Sequence, residues 1–196
     1  MTYHYHSISL QGYANASTQE GYQSPPLGRV ELGGVWFDLP TGRNSITTQA
    51  EPLPGYPTRL LFPDLRIHLP QSVHLLLTGG NTRRSCLGDA VGLVALVFDN
   101  GQSIQVQVIP GWNLREWKIY GEQDVTWTED ANTQQVWSGG NRHDSGLGVI
   151  DMVTIAIPEY LARRVLTTIE IADHSAETAG SLDPAINVIG ITVLDE

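Results

Sequence analysis

Alternation of apolar and polar residues recurs along this chain, and no segment sustains a helical period for four turns. HSISL (6–10) alternates, GGVWFDLP (33–40) is a short β-rich run that stops at Pro40, and NSITTQ (44–49) reads as another strand. DLRIHLP (64–70) sets Leu65, Ile67 and Leu69 on one face against Asp64, Arg66 and His68. SVHLLLTGG (72–80) is an apolar run closed by a glycine pair. VGLVALVF (91–98) is apolar at every position, which predicts a central strand packed on both faces. DNG (99–101) then signals a tight hairpin, because Asn-Gly tolerates positive φ. The return strand SIQVQVIP turns Ile104, Val106 and Val108 inward and Ser103, Gln105 and Gln107 outward. VIDMVTIAI (149–157), VLTTIEIAD (165–173) and INVIGITVL (186–194) complete the set. Between the first two of these, PEYLARR has room for one or two helical turns starting at Pro158.

Roughly eight to ten strands at short spacing predict a sandwich or barrel. The rhythm breaks from Gly111 to Gly148, where four tryptophans sit among many polar residues. A long irregular insertion in a compact β domain is a common place for function. The loops QSPPLG (23–28) and EPLPGYP (51–57) read as ordered surface connections.

Composition narrows the partners. The 196 residues suit one domain spanning 1–196, and 20 glycines with 11 prolines favour strands and turns over helices. Eleven Lys+Arg against 21 Asp+Glu give a net charge of −10, which repels nucleic acid and an anionic membrane surface. Cys86 is the single cysteine, so no internal disulfide forms, and a reducing compartment fits. The N-terminal MTYHYHSISL lacks the charge and apolar pattern of a secretory signal, and the longest apolar run is too short to span a bilayer. A cytoplasmic location is the expectation.

In order, VHLLLTGG, VALVFDNGQSIQVQVIPGWNLREW, VLTTIEIADHS and INVIGITV resemble the galactose-binding-domain-like β-sandwiches. Phe98, Asp99 and Gly101 match an aromatic-Asp-Gly strand end, with Asn100 inserted. Gly111, Asn113, Leu114 and Trp117 match a Gly-x-Asn-Ile-x-x-Trp-like turn, and GGVWFDL resembles an early Gly-Val-x-Phe element. The likeness runs from about Gly33 to the C-terminus. It implies an all-β, jelly-roll β-sandwich of a kind found beside bacterial glycoside hydrolases. Many members of that fold bind sugars, and others bind lipids, proteins or nucleic acids, so fold does not settle function. It also leaves room for a structural calcium held by carboxylates and carbonyls, for which no ligands are assigned.

Candidate chemistry gathers in the 111–148 region. Flat aromatic faces pack on pyranose C–H groups while neighbouring amides, carboxylates and arginines bond the hydroxyls. Trp112, Asn113, Arg115, Trp137, Asn141, Arg142, His143 and Asp144 are the ligand-binding candidates. Trp117 falls on the recurring turn position and reads as an anchor, Trp112, Trp127 and Trp137 divide about evenly between platform and anchor, and Trp36 reads as core or sheet surface. SGGNRHDSGLG (138–148) holds four glycines, which allow close approach of backbone to a ligand, although an exposed hairpin tip explains them equally well. Arg83 and Arg84 suit either an anionic group or internal pairing with carboxylates such as Asp89, and internal pairing is the favoured reading.

The catalytic alternatives are weaker. The six histidines show no spacing that converges on zinc. Glu116, Glu122, Asp124, Glu129 and Asp130 are carboxyls for glycoside hydrolysis by location only. In HDSG (143–146) a His, an Asp and a Ser are sequence neighbours, which rarely make a triad, and no nucleophile elbow is present. The expectation is a non-catalytic binding module with no cofactor, taking a carbohydrate. A protein-interaction or assembly role, including a homo-oligomer, stands second and a glycoside hydrolase third.

Overall fold

The computed structural model describes residues 3–49, 55–175 and 184–196. Its strands are β1 (His4–Ser7), β2 (Gly28–Leu32), β3 (Val35–Leu39), β4 (Ile46–Thr47), β5 (Arg59–Phe62), β6 (Pro70–Gly80), β7 (Gly92–Phe98), β8 (Ser103–Val108), β9 (Lys118–Ile119), β10 (Thr133–Gly140), β11 (Leu147–Ala156), β12 (Leu166–Asp173) and β13 (Ala185–Asp195). Two single-turn α-helices, α1 (Thr18–Gly21) and α2 (Glu159–Ala162), and a 3-10 turn at Arg84–Cys86 interrupt them. The second follows Pro158, where the sequence places it.

The protein is an all-β sandwich of antiparallel sheets. The large sheet runs β1-β13-β6-β11-β10, with β4 beside β13 and β9 beside β11, and the small sheet runs β5-β12-β7-β8. The chain passes from β5 to β6 across the sandwich, returns for β7 and β8, crosses again for β10 and β11, then for β12, then for β13. That alternation of sheets gives the jelly-roll strand order. Leu75, Leu77, Val153, Ile191 and Val193 of the large sheet share one apolar cluster with Leu60, Val94, Leu96, Ile169 and Ile171 of the small one.

A second core lies on the other face of the large sheet. The β2–β3 hairpin brings Leu32, Val35, Phe37 and Leu39 onto Leu76, Ile150, Met152 and Ile189, with Tyr22 at the margin. Strand β6 is therefore apolar on both faces because both are covered. This corrects the expectation for VGLVALVF. The outward Leu93 and Val97 of β7 are half-buried, and the face they share with Gln105 and Gln107 of β8 is the outer face of the small sheet.

Three other expectations shift. DLRIHLP forms no strand: its ends carry positive φ at Asp64 (58°) and Leu69 (48°), and only Ile67 bridges Leu166 as the chain passes between sheets. The strand before it is RLLF, the β5 segment that the alternation did not single out. The irregular 111–148 region contains the eight-residue β10, which pairs with β11 through a bulge between Gln135 and Trp137. By contrast, the DNG turn closes the β7–β8 hairpin as expected, with Gly101 at φ 78°. EPLPGYP lies partly outside the described residues.

Candidate functional site

GWNLREW begins where β8 ends. The amides of Trp112, Asn113 and Leu114 all donate to the Ile109 carbonyl, and Gly111 N–H donates to Leu114 O. This tight loop needs Gly111 at φ 82°, and a side chain there would collide with Leu87, whose Cδ1 would lie 2.3 Å from an added Cβ. Glycine is required for both reasons.

Asn113 is buried. Its Oδ1 accepts from Ile109 N–H at 2.8 Å and its Nδ2 donates to Gln107 O at 2.8 Å. The side chain thus mimics a neighbouring strand at the end of β8, with both of its polar atoms bonded to backbone. Arg115 is also buried. Its Nε and one terminal nitrogen both reach the Asp151 carboxylate at 2.6 Å, and further bonds go to Gln135 Oε1 and Thr126 O. Two charges so buried need this complete pairing. Both residues, expected to bond hydroxyls, are committed inside the protein.

Trp112 stands apart from them. It is 49% exposed, whereas Trp36, Trp117, Trp127 and Trp137 are half-buried. Its carbonyl accepts from the amides of Glu129 and Asp130 at 3.0 Å, which ties the next loop to its backbone. Two depressions flank it. One, of about 640 Å³, is lined by Leu93, Gln105, Gln107, Asn113, Asp130 and Asn132. The other, of about 350 Å³, is lined by Leu87, Ile109, Pro110, Trp127 and Glu129. Among the described residues no partner engages the Gln105 or Gln107 side-chain amide. Asp130 is partly spent: Oδ1 accepts from Asn132 and Oδ2 from the Thr133 hydroxyl.

Two of the other tryptophans gather on a residue that sequence reasoning missed. Tyr22, buried, meets Trp117 edge-on at 5.3 Å and Trp137 at 5.1 Å, and its hydroxyl donates to Val149 O at 3.0 Å. Burial first of all pushes its pKa up. Trp137 also lies against Gly139, where an added Cβ would come within 2.5 Å of the ring. It therefore works as packing rather than as a free platform.

Most of the glycine-rich loop is spent on itself. Asn141 is buried; its Oδ1 accepts from the amides of His143 and Asp144, and its Nδ2 donates to Asp144 Oδ1 and Gly146 O. Those bonds, led by the Asn141 amide, hold Asp144 below the usual carboxylate range, and Lys118 pairs with it at 3.4 Å. Arg142 Nε donates to Tyr22 O. His143 is exposed and meets Trp117 edge-on, at one side of a cleft of about 380 Å³ shared with Glu20 and Asn187. A further cleft of about 540 Å³ lies over Leu10, Leu39 and Ile189, and no tryptophan lines it.

Several other titratable groups are held by internal contacts or burial. Arg83 pairs with buried Asp124, not Asp89, and Arg84 lies over Trp127 at 5.5 Å. Glu116 is buried and accepts from Thr82 N–H at 2.7 Å; desolvation raises its pKa to about 7. His74 lies between the Ser72 and Thr154 hydroxyls, and burial lowers its pKa to about 4. Cys86 is buried, with its thiol pushed up by burial. Among the described residues no three His, Cys, Asp or Glu come together to hold a metal ion, and no helix is long and apolar enough to cross a membrane.

The residues of the Trp112 site that sequence reasoning passed over are Gln105, Gln107, Asn132 and Leu87, and Asp130 was singled out only as a candidate carboxyl for hydrolysis. The outward alternation of SIQVQV carried a signal for the two glutamines. Nothing in the sequence placed Asp130, Asn132 and Leu87 around Trp112. No family model, curated protein or solved structure matches the chain.

Proposed function

We propose that this protein is a non-catalytic carbohydrate-binding module of the galactose-binding-domain-like kind. The observation that carries the reading is the exposed Trp112 ring, fixed at its backbone, beside uncommitted Gln105 and Gln107 amides. A pyranose stacked on that ring would meet amides from β8 and the Asp130–Asn132 turn at its hydroxyls. Binding is favoured over hydrolysis because Glu129 and Asp130 line different depressions, one on each side of Trp112. Retaining or inverting chemistry needs two carboxyls about one bond.

Titrating a panel of neutral mono- and oligosaccharides while following tryptophan fluorescence tests this. Binding of at least one sugar, lost in Trp112→Ala at an unchanged melting temperature, is expected. Silence across the panel, or undiminished binding by Trp112→Ala, contradicts it. Assembly is the second reading, favoured by exposed Leu87 and Trp112 forming one apolar patch. A sedimentation-defined oligomer that shields Trp112 would support that instead.

A further inference from the structure

Trp112 has chemically different ground on its two sides. On one side lie Gln105, Gln107, Asp130 and Asn132. On the other lie Leu87, Ile109, Pro110 and Trp127. Ile109 and Trp112 line both depressions, so the two grounds are continuous beneath and around one ring. A bare sugar has use for the first alone.

The apolar side is held in place. Gly111 lets Leu87 close over the loop at a distance no side chain would permit, and Gly88 N–H donates to Pro110 O at 3.1 Å. Trp127 is backed by the Arg84 guanidinium. Leu87 is nevertheless 46% exposed, next to a tryptophan that is 49% exposed. Adjacent large apolar side chains left open on a fixed scaffold mark a contact surface. The carboxyls at the two margins, Glu129 and Asp130, disfavour an anionic ligand.

Resting on the carbohydrate reading of Trp112, we infer that the ligand is a neutral glycoside carrying an apolar aglycone. Its sugar packs on Trp112 over the glutamines, and its aryl or alkyl group covers Leu87, Pro110 and Trp127. The ring of Trp112 is shared by both parts, so the glycosidic bond lies at its edge.

Matched methyl and phenyl glycosides of glucose, galactose, mannose and xylose, in both anomers, separate the two ideas by calorimetric titration. The phenyl member of a bound pair is expected to bind about tenfold more tightly, as one small buried apolar group warrants. Leu87→Ser, at an exposed position, is expected to bring the phenyl and methyl affinities together. Trp127→Leu is a second probe of the same side, checked by its melting curve. Equal affinities for methyl and phenyl members overturn the inference and leave the carbohydrate reading standing. Binding of neither overturns both. A phenyl preference that survives Leu87→Ser and Trp127→Leu places the aglycone elsewhere and overturns it as well.

Discussion

Within the seven residues of GWNLREW, adjacent side chains do opposite work. Asn113 replaces a strand, Arg115 neutralises Asp151 in the interior, and Trp112 faces out. The sequence marks Trp112 and Arg115 alike, as positions that the turn pattern leaves free. It carries no trace of Asp151 as partner, which lies 36 positions away and meets Arg115 only through β11. Arg115→Ala leaves that carboxylate buried and alone, and a loss of about 3–5 kcal/mol is expected in urea unfolding. Glu116 gives a pH signature. Burial holds its pKa near 7 in the folded chain, against an ordinary value of 4.5, with Asp124 adding to the rise and Arg83 and Lys118 opposing it. The folded state therefore holds a proton that the unfolded chain releases. Its contribution is fully present below the unfolded value and fades as pH rises through about 7. Glu116→Gln, which keeps an acceptor for Thr82 N–H, is expected to flatten that fall in unfolding free energy between pH 4.5 and 7. An unchanged slope contradicts the assignment.

For elements, legibility depended on whether local pattern and tertiary cover agreed. The β7–β8 hairpin was readable because DNG fixes a turn and SIQVQV fixes the facing of β8. DLRIHLP was misread because Ile67 enters the core from a connection, and burial of one residue satisfies an alternating pattern without a ladder. VGLVALVF and SVHLLLTGG look alike as apolar runs, yet only β6 is covered on both faces, since the hairpin at 28–39 lands there. That cover is set by tertiary structure alone. It makes Leu76, on the hairpin side, as buried as Leu75, on the sandwich side. Each Leu→Ala change is expected to cost about 2–5 kcal/mol. A Leu76→Ala cost below about 1 kcal/mol in chemical denaturation would show the second core to be loose.

Across the whole molecule, the jelly roll separates two populations of aromatics. Trp117 and Trp137 close around Tyr22 on the hairpin side of the large sheet, where they pin the strands at 133–156. Trp112 sits at the end of β8, at the open face of the small sheet. Sequence grouped Trp112, Trp117, Trp127 and Trp137 into one aromatic region because they are near in the chain. The fold places two of them on a buried tyrosine more than 90 positions upstream of Trp117, a pairing with no local signal. The division is open to direct observation. A nitrogen-15-labelled sample shows an indole N–H resonance for each of the five tryptophans, assignable by single substitution. Titrated with the tightest sugar of the neutral panel, the Trp112 resonance is expected to shift most, Trp127 next, while Trp36, Trp117 and Trp137 stay in place. Shifts concentrated on Trp117 and Trp137, with Trp112 still, would contradict the assignment of Trp112 as the platform.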